Sequence, residues 1–213
     1  MKTFTRSDVD TLERFFRTNL INSLTGFKSV ALLGTVSESG QENLAIFSQI
    51  IHVGANPPQL GILFRPPSVT RHTLANIHQK QYFTVNHIRP EWVRQAHHTS
   101  ARWEKSEFEA CGLTPVYLDG FAAPFVEEAV VKMGLTYVEE HTLNNGTVLV
   151  VGEMQQIHVP DDCLGEDGFV DLERADTVTC SGLDAYHRTQ KLTRLSYAKP
   201  DQPLEEIEDF RSG

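Results

Sequence analysis

Residues Ser29 to Arg65, SVALLGTVSESGQENLAIFSQIIHVGANPPQLGILFR, decide how the chain folds. Two apolar runs, Val30–Val36 and Leu44–Val53, flank the turn Ser37-Glu38-Ser39-Gly40. Asn56-Pro57-Pro58 then precedes a third run, Leu60–Phe64. Short apolar runs between turn residues predict strands of a sheet or small barrel. Asn43, Ser48 and Gln49 interrupt sequence that otherwise reads as buried. Buried polar groups need partners, so either neighbouring backbone or a polar ligand must satisfy them.

Upstream, Ser7 and Asp10 have the spacing of a capping box, with Asp in place of the usual Glu. Val9, Leu12, Phe15, Phe16, Leu20 and Leu24 follow at helical spacing. One amphipathic helix is expected from about Asp8 to Ile21. It either covers a sheet or joins a partner subunit.

Downstream, Pro66-Pro67 ends the third strand, and Ser68 can cap a short helix running to about His78. Tyr82–Ile88 alternates as a strand does. Pro90 suits the first turn of a helix bearing Trp92 and Val93. Glu104–Cys111 predicts a further short helical piece. The region from Pro90 to Gly120 lacks a clear period and reads as an excursion from the barrel, either a lid or a partner contact. Val130–Leu143 and Thr147–Val159 flank Asn144-Asn145-Gly146, and Asn-Gly supports a hairpin because both residues tolerate positive φ. Phe169–Leu172 is expected to form a short strand, and Val178–Leu183 a last piece near the ligand. Residues 1–199 read as a single domain, with 200–213 an acidic, loosely held tail.

A chain of 213 residues can bury a sizeable core. Its formal charge of -9 disfavours nucleic acid, which needs a concentrated basic face. Cys111, Cys163 and Cys180 are odd in number and widely spaced. They form neither a zinc pattern nor a disulfide scaffold, and the expected setting is the reducing cytoplasm. No run of apolar residues is long enough to span a membrane.

Neither a GxGxxG stretch nor a P-loop is present, and the histidines form no HExxH arrangement. His97 and His98 are adjacent, and neighbours on a helix face different ways, so a shared metal is not expected. The segment Arg65-Pro66-Pro67-Ser68-Val69-Thr70-Arg71-His72-Thr73 is more informative. It offers two guanidiniums, three hydroxyls and a helix N-terminus, a combination suited to phosphate oxygens. Equally, it could be a solvent-facing cap with a salt bridge.

Four pieces of the chain, taken in order, resemble the flavin reductase-like family. They are VALLGTV with SESG and ENLAIFSQI, the NPP turn with its strand, RHTLANIHQKQYFTVN, and VLVVGEMQQIHVPDDCLGEDGFVDL with SGLDAYHR. The resemblance spans roughly residues 24 to 197 and implies a mainly β fold. That fold is an FMN-binding, Greek-key-like split β-barrel with peripheral helices. It further implies that Ser48 and Gln49 line the flavin edge, that Asn43 orients that loop, and that backbone around Ile46, Phe47 and Ser48 meets the ring carbonyls. Arg65, Arg71, His72 and Thr73 would surround the phosphate. Tyr186 would lie near the cofactor, with His187 a weaker neighbour, and Glu153 takes the family's glutamate position.

The cofactor implied is FMN, with NADH or NADPH as electron donor, and the assembly implied is a homodimer with FMN near the subunit boundary. Two features depart from the family. The stretch from Ala123-Pro124-Phe125 to Lys132-Met133-Gly134 lacks the cysteine many members carry, and Ile88–Trp103 is richer in aromatics than the loop of simple reductases. Three activities fit: hydride transfer from NAD(P)H to flavin, FMN binding or storage without turnover, and a flavoenzyme acting on a small organic substrate.

Overall fold

The computed structural model describes residues 1–66 and 72–207. Its frame is a seven-stranded antiparallel sheet. In chain order the strands are β2 (Ala31–Val36), β3 (Glu42–Phe47), β4 (Ile50–Ala55), β5 (Pro58–Phe64), β6 (Tyr82–His87), β9 (Lys132–Thr142) and β10 (Val148–His158). A smaller three-stranded sheet joins β1 (Lys28–Ser29), β11 (Thr179–Ser181) and β12 (Ala185–His187). Two short strands, β7 (Pro115–Val116) and β8 (Phe125–Val126), pair with each other.

The order across the large sheet is β3-β2-β6-β9-β10-β5-β4. Its two edges, β3 and β4, are therefore consecutive in the chain, with only Ser48 and Gln49 between them. Seven strands laid flat would hold their edges about 29 Å apart. The link from Phe47 to Ile50 reaches at most about 11 Å. The sheet consequently curls until its edges nearly meet, which gives a barrel with one seam. The expected single run Leu44–Val53 is thus two strands, broken at its polar pair, because there the chain leaves one edge for the other.

Strand β2 is buried along its whole length, as befits a strand covered on both faces. Ala31 and Leu33 point into the barrel, where they meet Ile62, Phe64, Phe83, Val85, Leu135 and Val150. Leu32 points outward with Val30 and Leu44, into an outer layer that includes Ile88, Trp92, Phe108, Val126 and Val178. Each such large side chain contributes about 1.5–3 kcal/mol when fully buried.

The outer layer comes largely from residues 88–129. A 3-10 turn, Pro90–Trp92, runs into helix α4 (Val93–His98), and α5 (Glu107–Cys111) follows. This helix starts three residues later than Glu104, and Gly112 ends it in the left-handed region at φ 67°. Buried polar side chains clamp the layer to the barrel. Asn86 Nδ2 donates to Leu32 O and to Thr84 Oγ1, while Val126 N donates to Asn86 Oδ1. Thr84 Oγ1 donates to Pro124 O at 2.6 Å. Gly34 sits under this clamp, and a Cβ there would run into Pro124 O and Thr84 Oγ1.

The expected N-terminal helix is two helices, α1 (Arg6–Thr11) and α2 (Arg14–Ser23). The cap is Thr5 with Asp8 rather than Ser7 with Asp10, and Glu13 breaks the run by capping α2 through Phe15 N and Phe16 N. No residue of either helix is buried, so neither covers a sheet. Phe15, Leu24 and Phe27 remain 71%, 70% and 69% exposed. Helix α3 (His72–Lys80) buries Thr73, Asn76 and Ile77; the Ser68 cap expected before it lies outside the described residues. The hairpin around Asn144–Gly146 forms as expected, but of the Asn-Gly pair Gly146 alone takes positive φ, at 80°. Phe169–Leu172 is not a strand: only Val170 bridges, to Leu164. The segment after β12 folds back through a bridge between Leu195 and Glu206.

Candidate functional site

A cavity of about 520 Å³ opens where the barrel seam meets the outer layer. The end of β3 and the seam supply Ala45, Ile46, Phe47, Ser48 and Gln49. Leu63, Phe64 and Arg65 come from the end of β5, Thr73 from the first turn of α3, and Thr147 from the hairpin. The opposing layer contributes Val30, Cys180, Leu183 and Tyr186, with His97, Thr99 and Ser100 from the end of α4 and beyond. Asn22 of α2 completes the lining.

The walls differ in chemistry. On the barrel side, Phe47 and Phe64 pack edge to face at 4.8 Å, both belonging to the inner core. Arg65 is exposed there, and no carboxylate among the described residues pairs with it. On the other side Tyr186 packs against the outer cluster, and its hydroxyl lies 2.8 Å from His97 Nδ1. Burial, seconded by Cys180 and Asp184, pushes the Tyr186 phenol up to about 12. The Cys180 thiol is also raised, chiefly by burial, although Lys28 and a hydrogen bond from Ser48 pull the other way. Lys28 Nζ is committed to backbone, donating to Gly182 O at 2.6 Å and Asn22 O at 3.3 Å.

Of the residues singled out in the sequence, Ile46, Phe47, Ser48, Gln49, Arg65, Thr73 and Tyr186 share this cavity. Asn43 and His72 instead line a smaller one of about 130 Å³. Asn43 is buried, and its Nδ2 donates to Thr35 Oγ1 at 3.1 Å and Thr73 Oγ1 at 3.0 Å. It therefore reaches the larger cavity only by holding Thr73. Asn76 Nδ2 donates to the same Thr35 hydroxyl. Arg71 lies outside the described residues. Glu153 pairs with Thr136 and Gln59 across the sheet and is not part of either lining.

His97, Thr99, Ser100, Thr147 and Asn22 were not identified from sequence as lining residues. Only the general reading of 90–120 as a lid pointed toward the first three. No group of three or more His, Cys, Asp or Glu among the described residues could hold a metal ion. Among the described residues, no helix is long and apolar enough to cross a membrane.

The donor set and walls suit an elongated ligand with a planar, largely apolar body and an anionic end. Ala45, Ile46 and Leu63 offer the body apolar contact on the barrel side, hydroxyls and an amide edge it, and the guanidinium of Arg65, unpaired among the described residues, marks one rim.

Comparison with known proteins agrees with this chemistry. The sequence matches the flavin reductase like domain over residues 26–178. A crystal structure of a candidate flavin reductase with split barrel domain from Shewanella frigidimarina NCIMB 400 is 47% identical. It aligns over 93% of this chain and 100% of its own, with a TM-score of 0.90. Nitrilotriacetate monooxygenase component B from Bacillus cereus aligns at 21% identity over 92% of this chain and 98% of its own, with a TM-score of 0.79. Pseudomonas fluorescens 2-nitrobenzoate 2-nitroreductase aligns at 20% identity over 95% and 98%, with a TM-score of 0.78. These last two share the fold. No curated protein matches the sequence.

Proposed function

The chain belongs to the flavin reductase-like family, and from that premise we propose that it is an FMN-dependent oxidoreductase that accepts a hydride from NADH or NADPH. The observation that carries this reading is the seam cavity, where apolar walls lead to Arg65, unpaired among the described residues. Bound FMN would supply the two-electron chemistry, so no acid–base pair is required of the protein for the hydride step.

The chain's own residues bind and orient. Arg65 and Thr73, with Arg71 between them in the chain, grip the phosphate through charge-assisted hydrogen bonds. Asn43 keeps Thr73 in place from behind. Ser48, Gln49 and the backbone of Ile46–Ser48 meet the polar edge of the ring. These donors also favour the negative charge that develops on reduction. Tyr186 closes the cavity from the outer layer and excludes water.

We further propose one FMN-binding domain over residues 1–199, a cytoplasmic setting and a homodimer. The exposed apolar side chains of α2 and of the turn after it, Phe15, Leu24 and Phe27, supply apolar surface for an isologous contact.

Anaerobic mixing of FMN-loaded protein with NADH and, separately, NADPH tests the reaction. Loss of the oxidised flavin absorbance with at least one donor is expected. Retained FMN with no bleaching by either would overturn the reductase reading in favour of a protein that only holds the flavin.

A further inference from the structure

We propose that the outer wall of the cavity is a subsite for a second ligand: an uncharged, planar organic molecule whose carbonyl or nitro oxygen accepts a hydrogen bond from Tyr186 Oη, with His97 as the residue that positions that hydroxyl. This deepens the proposed function by naming its substrate class, and it rests on that reading for its place beside a flavin.

The hydroxyls of this wall are not equivalent. Thr99 Oγ1 donates to Ala96 O at 2.8 Å, and Ser100 Oγ donates to His97 O at 2.7 Å. Both hydroxyl hydrogens are therefore committed to the end of α4. Tyr186 differs, because its partner at 2.8 Å is a ring nitrogen that can donate or accept. When His97 carries its hydrogen on Nδ1, it donates to Tyr186 Oη, and the phenol hydrogen is left to point at a ligand. His97 is exposed, so water can accept or donate at Nε2 and the tautomer change costs little. The rings meet edge to face at 5.8 Å and 89°, which fixes the direction of the pair. Burial keeps the phenol protonated through the physiological range, as a donor must be.

Charge then selects the ligand. Among the described residues no lysine or arginine is free on this wall: Lys28 Nζ is held by two backbone carbonyls, and Arg65 belongs to the barrel side. Asp184 adds negative charge near Tyr186. A phosphate or carboxylate would find no lysine or arginine to pair with here, whereas a neutral oxygen acceptor needs only the phenol. Val30 and Leu183 offer apolar contact to the body of such a molecule.

Benzaldehyde and toluene, which differ in the oxygen, are suitable probes. Each is titrated by ligand-observed NMR into FMN-saturated and FMN-free protein. Tyr186→Phe should weaken benzaldehyde binding about tenfold and leave toluene within about twofold, the loss expected of one hydrogen bond. His97→Leu should weaken benzaldehyde about threefold, and His97→Asn, whose amide can replace Nδ1–H, should restore it. Equal effects of Tyr186→Phe on both probes, or none on either, would overturn the subsite. Indistinguishable Leu and Asn variants at 97 would overturn the positioning role. Wild-type protein that takes up no FMN but still distinguishes the probes would end the proposed function and leave the subsite standing.

Discussion

The two faces of β2 are covered by different kinds of structure. Inside, Ala31 and Leu33 meet side chains from long strands that pair in register around the barrel. Outside, Val30 and Leu32 meet short helices, turns and two-residue strands. The inner face is held by backbone ladders and apolar packing. The outer layer depends in addition on a few buried polar bonds, chiefly those of Asn86. The cavity lies where the two meet, so one wall is rigid by construction and the other is only as firm as its clamp.

That contrast can be broken most severely at Gly34. Gly34→Ala forces a Cβ against the Pro124 carbonyl, which is backbone and cannot swing aside. Overpacking of this kind costs typically about 1–3 kcal/mol, the upper end being expected against backbone, and urea unfolding should show it; a loss below about 1 kcal/mol would mean the layers are not locked together there. Next comes Asn86→Ala, which leaves Val126 N and Leu32 O buried without this partner. A loss of about 2 kcal/mol is expected from the unmet groups. Hydrogen exchange should rise in residues 121–129 before it rises in β2, and uniform loosening would contradict the contrast.

Arg65→Ala probes the barrel wall without touching the clamp. FMN affinity should fall at least about tenfold, one lost charge-assisted bond, while the urea midpoint of FMN-free protein stays put. An effect confined to acid conditions comes from His87 at the end of β6, whose imidazole burial pushes down to about 4. The unfolded chain takes up a proton below about 6.5, but the native state resists until about 4. Stability should therefore decline as pH falls through that window, by at most about 1.4 kcal/mol per unit, and His87→Gln should flatten the slope. An unchanged profile would remove His87 from the account.

Much of the barrel was legible because strands of six to eleven residues carry their own pattern. Val30–Val36, Tyr82–Ile88 and the Asn-Gly hairpin all fold close to where the sequence placed them. Ser48-Gln49 stood out as polar, yet its meaning was hidden. Local residues do not say that the next strand pairs at the far edge of a sheet, since that is decided by the pairing of β4 with β5 and β5 with β10. The N-terminus held two overlapping cap spacings, Thr5 to Asp8 and Ser7 to Asp10, and sequence gave no means to rank them. Within the site, Arg65 and Thr73 were found through their chemistry. His97 was not, because α4 has only six residues, too few for a period to show which of two adjacent histidines turns toward the cavity.

The two-residue link between β3 and β4 has one more consequence. A guest lodged against Ser48 and Gln49 also touches the ends of both margins of the curled sheet, and so acts as a rivet across its gap. Heat tolerance should then climb with the amount of guest supplied, as mass action requires of anything that favours the native form. Without a guest the wall should be slacker at that gap.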